Sequence, residues 1–242
     1  MDNLNRDQAA DVKSKSFISN YSLLLPYFAP YMAFVGIISL GSVLPAEWKY
    51  TLSIMVVSIL LLWFRRRYVS LTGPMSSTIS IFWGVLVGIL GTVIWVSMRL
   101  PFVAAGADGW NPVAFFLRLF AASLLVPLFE EILMRGYIFR LAYQWDCERK
   151  RKNDKSLYSA LHDRSINTVE QGAWSIPAVI ISTIAFTAGH NLEEWPAAFI
   201  YGLLMAFLWI KRKDLIACIA AHATTNFTLG LYVYFTKQWG LW

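Results

Sequence analysis

Two adjacent carboxylates, Glu130 and Glu131, sit in residues 126–140, V-P-L-F-E-E-I-L-M-R-G-Y-I-F-R, a stretch otherwise apolar enough to cross a bilayer. An ionisable side chain near the middle of a membrane helix costs at least ~2.5–3.5 kcal/mol, so it faces protein or trapped water. Glu131 has a partner on its own helix, because Arg135 follows four residues later on the same face. Glu130 is rotated ~100° from Glu131 and has no such partner, so a different helix must supply its environment. That singles out Glu130 as the chemical group. Pro127 removes a backbone donor and is placed to kink the helix beside it. The bland alternative, a helix end whose carboxylates reach water, fits poorly with apolar residues that continue on both sides.

Two histidines share this setting. His190 closes the apolar run 176–190 and His222 lies inside 215–235, whereas His162 falls in a polar stretch and reads as an exposed loop residue. Phe186 and His190 are four apart and share a helix face, as do His222 and Asn226. Such a set can hydrolyse an amide or ester. A desolvated carboxylate, Glu130, accepts a proton from water, His190 holds that water or shares its proton, and His222 with Asn226 direct donors at the carbonyl oxygen. A serine mechanism lacks its Gly-x-Ser-x-Gly context, and Ser123 and Ser182 read as ordinary helix serines. Cys218 reads as a buried, inert thiol.

The elements that must position these groups are membrane helices. With 57% hydrophobic residues and eleven Trp in 242, the chain exceeds the ~45–50% apolar content of soluble domains, and its fold class is all-α, a polytopic integral membrane helical bundle. Runs near the ~20 residues needed to span ~30 Å predict seven helices, at about 22–44, 48–64, 75–98, 113–143, 174–192, 196–210 and 215–235. Residues 1–21 form a polar N-terminal segment carrying Asp2, Arg6, Asp7, Asp11, Lys13 and Lys15, followed by a three-helix region, 22–112. The core, 113–235, contains a polar loop at 143–173, and 236–242 form a tail. The first apolar run is too long for the ~7–15-residue core of a cleavable signal, so none is expected. Cys147 and Cys218 fall in a polar loop and an apolar helix, which suggests neither a disulfide nor a cysteine zinc cluster.

The net charge of +6 reflects topology rather than nucleic-acid binding. Arg65–Arg67, the cluster Arg149 to Lys152 with Lys155, and Lys211–Lys213 follow the second, fourth and sixth helices. The alternate loops hold Glu47 with Lys49, Arg99 with Asp108, and Glu193 with Glu194. The positive-inside rule then places the N-terminus and the 143–173 loop in the cytosol and the C-terminus outside a cell (inner) membrane, with the Trp48, Trp110, Trp195, Trp239 and Trp242 rings near outer ends. At ~1.5 Å per residue from the basic ends, Glu130 lies ~20 Å deep, His190 ~21 Å, His222 ~14 Å and Asn226 ~20 Å. A lone membrane histidine or asparagine is often only an interhelical hydrogen bond, worth ~0.6–2 kcal/mol, but four such groups at similar depths form a more specific pattern.

Glu130-Glu131-x-x-x-Arg135, Phe186-x-x-x-His190 and His222-x-x-x-Asn226, in this order on three apolar segments, resemble the motifs of the CPBP family, the CAAX proteases and bacteriocin-processing proteins. The resemblance covers about 113–235. It implies an intramembrane glutamate-type endopeptidase, with Glu130 as base, His190 as first histidine, His222 and Asn226 as oxyanion donors, and Glu131 with Arg135 as an accompanying ion pair. The N-terminal half, the Val-Pro before Glu130 and the terminal Thr236-Lys237-Gln238-Trp239 are similar to the branch found beside bacterial exosortase systems. The partners implied are the lipid bilayer and a protein or peptide substrate, lipidated or membrane-anchored.

Two other readings use the same residues. In one, Glu130, His190 and His222 ligate Zn²⁺ with water in the open position, although no H-E-x-x-H helix is present and Asn226 has no clear part. In the other, a non-enzymatic scaffold or proton-coupled carrier, the same groups relay protons, although the repeated halves usual in transporters are missing. The expectation is an enzyme without a cofactor. A reporter fused near Asn153 should register as cytosolic, and a periplasmic or extracellular signal would overturn both the orientation and the depths.

Overall fold

The computed structural model describes residues 18–103 and 109–242; Asp2, Arg6, Asp7, Asp11, Lys13, Lys15 and Asp108 lie outside the described residues. Among the described residues the chain forms helices and no strand. The principal helices are α1 (Asn20–Ile38), α2 (Ala46–Phe64), α3 (Ser77–Arg99), a long α4 (Pro112–Lys150), α5 (Ser156–His162), α6 (Ile176–Ala188), α7 (Trp195–Arg212) and α8 (Leu215–Thr236). Five of them, α1, α2, α3, α4 and α8, are long and apolar enough to cross a membrane. With 18 residues α7 is ~27 Å long, and with 13 residues α6 reaches only ~20 Å. Outward faces carry large apolar groups: Ile59 is 61% exposed, Trp63 79%, Ile184 55% and Phe207 59%. Water disfavours such a surface and lipid accepts it. The chain is an all-α membrane bundle.

The most extensive helix pairing is α3 against α8, and α3 permits it by having no side chain where the two backbones meet. A Cβ on Gly88 would stand 2.5 Å from the Ala221 carbonyl oxygen, and one on Gly91 would stand 2.5 Å from the Tyr201 ring. Small residues at helical spacing allow this close approach, which dispersion and weak polar contacts then hold together in lipid. Thr225 Oγ1 also donates to the Gly88 carbonyl at 2.9 Å, so the glycine stripe fixes the face of α8 that carries His222.

The three basic segments gather at one end of the bundle. Val69 N donates to Tyr27 Oη at 2.8 Å, Leu215 N to the Leu71 carbonyl at 3.0 Å, and Gln171 Nε2 to the Thr72 carbonyl at 2.7 Å. The segment 143–173, read from composition as a polar loop, is substantially folded. α4 continues to Lys150, and Arg140, Gln144 and Glu148, spaced four apart on one face, bond to residues 164–169. Arg140 donates to the Ile166 and Val169 carbonyls, Gln144 to the Ser165 carbonyl, and Arg164 pairs with Glu148 at 2.6 Å. His162 is not in a loop but in α5, stacked on Tyr21 at 4.9 Å and close to Tyr158 at 4.4 Å.

Gly88→Ala forces a methyl group against the α8 backbone, so overpacking should destabilise the protein by ~1–3 kcal/mol. Thermal unfolding in detergent should show a lower Tm, and an unchanged Tm would mean that α3 and α8 do not pack this closely.

Candidate active site

The backbone of α4 prepares the site. Two π-helical segments, Ala121–Leu125 and Ile132–Ile138, flank the turn Val126–Glu131. In the first, the Val126 N–H bonds to the Ala121 carbonyl, and the next residue, Pro127, has no N–H to offer. Ala122 therefore has a carbonyl with no helical donor, and Asn226 Nδ2 from α8 donates to it at 2.7 Å. A carbonyl can only accept, so this contact orients the carboxamide and leaves its second amide hydrogen unassigned. π-bulges of this kind concentrate at functional sites.

Glu131 and Arg135 form the ion pair expected from their spacing, at 3.1 Å, and both are fully buried. The structure adds what spacing could not give. His222 Nδ1 lies 3.0 Å from Glu131 Oε1, so the carboxylate has one partner on its own helix and one on α8. The Arg135 guanidinium also donates to the Gly202 carbonyl at 3.1 Å, tying in α7, and stands 5.4 Å from the Phe186 ring centre. Glu131 thus also orients the His222 ring, a role that its spacing to Arg135 does not reveal.

These contacts assign the ring protons. A carboxylate held by Arg135 accepts, so His222 carries a proton on Nδ1 and turns Nε2 towards Glu130, 3.9 Å from Oε2. His190 Nδ1 lies 2.9 Å from the Phe186 carbonyl oxygen, so it too is the donor and Nε2 remains free. His190 is placed differently from expectation. The helix predicted over 174–192 ends at Ala188, with Gly189 as its C-cap, and Asn191 caps the following turn through reciprocal bonds with Glu194. His190 thus sits in the turn beyond α6 rather than inside a helix.

Glu130, His190, His222 and Asn226 line one cavity of about 100 Å³, enough for a few water molecules. Trp95, Phe186 and Tyr201 wall it. The Trp95 ring centre is 5.4 Å from that of His190, Phe186 is 4.7 Å from His190 and 5.9 Å from His222, and Tyr201 is 6.0 Å from His222. The Tyr201 hydroxyl pairs with Thr225 Oγ1 at 3.0 Å. Sequence reasoning missed Trp95 and Tyr201. For Trp95 a signal existed, since it continues the stripe of Gly84, Gly88 and Gly91; Tyr201 is one aromatic among many in an apolar helix. Cys218 is buried, its thiol facing the Met205 carbonyl, and both cysteines are free. Among the described residues no group of three His, Cys, Asp or Glu side chains could hold a metal ion.

Residues 112–228 match the family model described as type II CAAX prenyl endopeptidase Rce1-like. That stretch runs from the start of α4 into the second half of α8 and includes all four cavity groups and the ion pair. No curated protein and no solved structure gives a significant match.

Arg135→Met removes the cation from a carboxylate with no access to water, which should cost ~3–5 kcal/mol. Adding Glu131→Gln should recover part of the loss. Denaturant or thermal unfolding of the single and double variants checks this, and additive losses would show that the pair is not coupled.

Proposed function

We propose, starting from a chain that belongs through residues 112–228 to the type II CAAX prenyl endopeptidase Rce1-like family, that it hydrolyses a peptide bond with a water activated by Glu130. The family makes it an intramembrane CAAX-type endopeptidase in general terms; the mechanism is our reading of the geometry. Its main support is the clamp on His222, whose Nδ1 is committed to Glu131 while Nε2 faces Glu130 across 3.9 Å of a water-sized cavity.

Glu130 takes a proton from the attacking water, and the free Nε2 of His190 accepts a hydrogen bond that holds this water. The developing oxyanion is met by the imidazolium form of His222 through Nε2–H and by the second amide hydrogen of Asn226. With His222 protonated, Glu130 and Glu131 balance Arg135 and His222, so the buried cluster has no net charge. Glu131 and Arg135 are positioning residues. They do not touch the reacting atoms, but they keep the His222 ring in one orientation. Glu130 then returns the proton to the leaving amine.

This reading needs no metal. Glu131 and the Phe186 carbonyl do for the two histidines what outer partners do around a zinc ion, but no three-ligand group stands inside them among the described residues. The substrate is a membrane-embedded or membrane-anchored protein, with or without a lipid chain. The gathering of basic segments at one end supports the orientation that puts this end in the cytosol.

Glu130→Gln should abolish processing of membrane-anchored reporter proteins. Asn226→Ala should lower kcat by roughly 10²–10³ with less effect on KM, because the bond strengthens in the transition state. The variant also strands the Ala122 carbonyl, so Tm is measured alongside, and a KM-led loss would point to structure instead. Exhaustive chelation should leave activity intact. Strict dependence on added Zn²⁺ together with an active Asn226→Ala protein would overturn the glutamate mechanism.

A further inference from the structure

The cavity containing Glu130 adjoins a larger one of about 290 Å³, which shares Trp95, Val126, His190, Asn226 and Leu229 with it. The second cavity runs away from the basic end, towards the start of α2 at Tyr50 and the C-terminal Trp242. It exists because α6 is short. A 13-residue helix stops ~10 Å before the far side of a ~30 Å core, and the space above its end is left to this cavity. One face of α4 forms the wall: Arg118, Ala122, Val126 and Glu130 are spaced four apart, and each lines one or both cavities.

Arg118 is the cation on this wall. Its guanidinium stands 4.6 Å from the Trp110 ring centre and 5.1 Å from that of Trp242. Aromatic faces hold a guanidinium by its plane; one in-plane N–H of Arg118 is directed at the Tyr50 hydroxyl, and the others are left for a carboxylate. Among the described residues no carboxylate lies within salt-bridge distance of it. Among the described residues, the two acidic side chains at this end of α6 are engaged elsewhere. Glu194 lines the same cavity but accepts from the Asn191 N–H at 3.1 Å, and Glu193 pairs with Arg99 at 3.3 Å. A half-buried, pre-oriented cation facing a cavity beside a hydrolytic site is poised to bind a peptide anion.

We propose that Arg118 forms a substrate subsite for a carboxylate, either a peptide's C-terminal group or an Asp or Glu side chain, which enters from the end opposite the basic segments. The inference rests on the hydrolytic reading of Glu130 and adds the polarity and reach of its substrate. Twelve helical residues separate Arg118 from Glu130, ~18 Å of rise, and an extended peptide advances ~3.3–3.6 Å per residue. The recognised carboxylate therefore lies roughly five residues from the scissile bond. A phospholipid phosphate is the competing ligand for an arginine flanked by tryptophans at a membrane boundary, but Arg118 lines a cavity that shares five residues with the Glu130 cavity.

The test is binding, measured by fluorescence anisotropy on the full chain carrying Glu130→Gln in phosphatidylcholine nanodiscs. The probes are fluorescein-labelled hexapeptides of leucine and alanine ending in a free carboxylate, ending in an amide, or ending in an amide with one internal glutamate. The free-carboxylate peptide, the glutamate peptide or both should bind roughly 10–100-fold more tightly than the plain amide. Arg118→Gln should remove that advantage without weakening the plain amide, and Arg118→Lys should keep part of it. Which of the two anionic peptides gains identifies the source of the carboxylate. Equal affinity for all three peptides, no binding by any, or an equal loss for the plain amide in Arg118→Gln would overturn the subsite. So would an Arg118 effect confined to phosphatidylglycerol nanodiscs, which assigns the residue to lipid. Because the Glu130→Gln protein reports binding alone, failure of hydrolysis by Glu130 appears in the processing assay and leaves this result to stand or fall separately.

Discussion

Glu131 is a carboxylate with no access to water, and the structure depends on the two donors that make this tolerable, Arg135 on its own helix and His222 on α8. Removing a carboxylate from water costs several kcal/mol, and only close, directional partners offset it. Apolar packing cannot choose among helix arrangements this sharply in a membrane, because lipid tails contact leucine as well as another helix does. A hydrogen-bonded ion cluster can. Arg135 reaches the Gly202 carbonyl on α7, His222 rises from the face of α8 pressed onto the α3 glycines, and three helices take their positions from one buried carboxylate.

The same cluster separates two chemically identical neighbours. One turn step of ~100° puts Glu131 among its partners and leaves Glu130 facing a cavity, with an imidazole edge 3.9 Å away and, among the described residues, no direct donor within hydrogen-bond distance. Paired carboxylates divide their roles in this way when environment, not residue type, sets their basicity. Pro127 contributes a second division of labour. By withholding a backbone donor it leaves the Ala122 carbonyl to Asn226, so a defect in α4 anchors a side chain of α8 at the cavity.

The two ends of the bundle are built for different purposes. At the basic end, side chains such as Asn20, Arg140, Gln144 and Glu148 bond across to the 160–169 segment and close the structure. At the other end α6 stops early, its C-terminal turn carries His190, and aromatic and arginine side chains surround an opening. Closing one end and truncating a helix at the other gives the Glu130 cavity an approach from one direction.

The order of three short motifs on apolar segments and the alternation of basic stretches were readable from the chain, because hydropathy and charge are local properties. So was the Glu131–Arg135 pair, which needs only a four-residue spacing. Composition misread 143–173 as a loop, since a stripe of Arg140, Gln144 and Glu148 looks solvated until its acceptors at 164–169 are known. It also ran the fifth predicted helix, 174–192, through His190, where Gly189 and the Asn191 cap end α6 early. What no sequence pattern contained was the His222–Glu131 bond, the Tyr201 wall or the cavity that reaches Arg118. Each joins residues on different helices, and such contacts depend on crossing geometry and close backbone approach, which exist only once α3, α4, α7 and α8 are packed together.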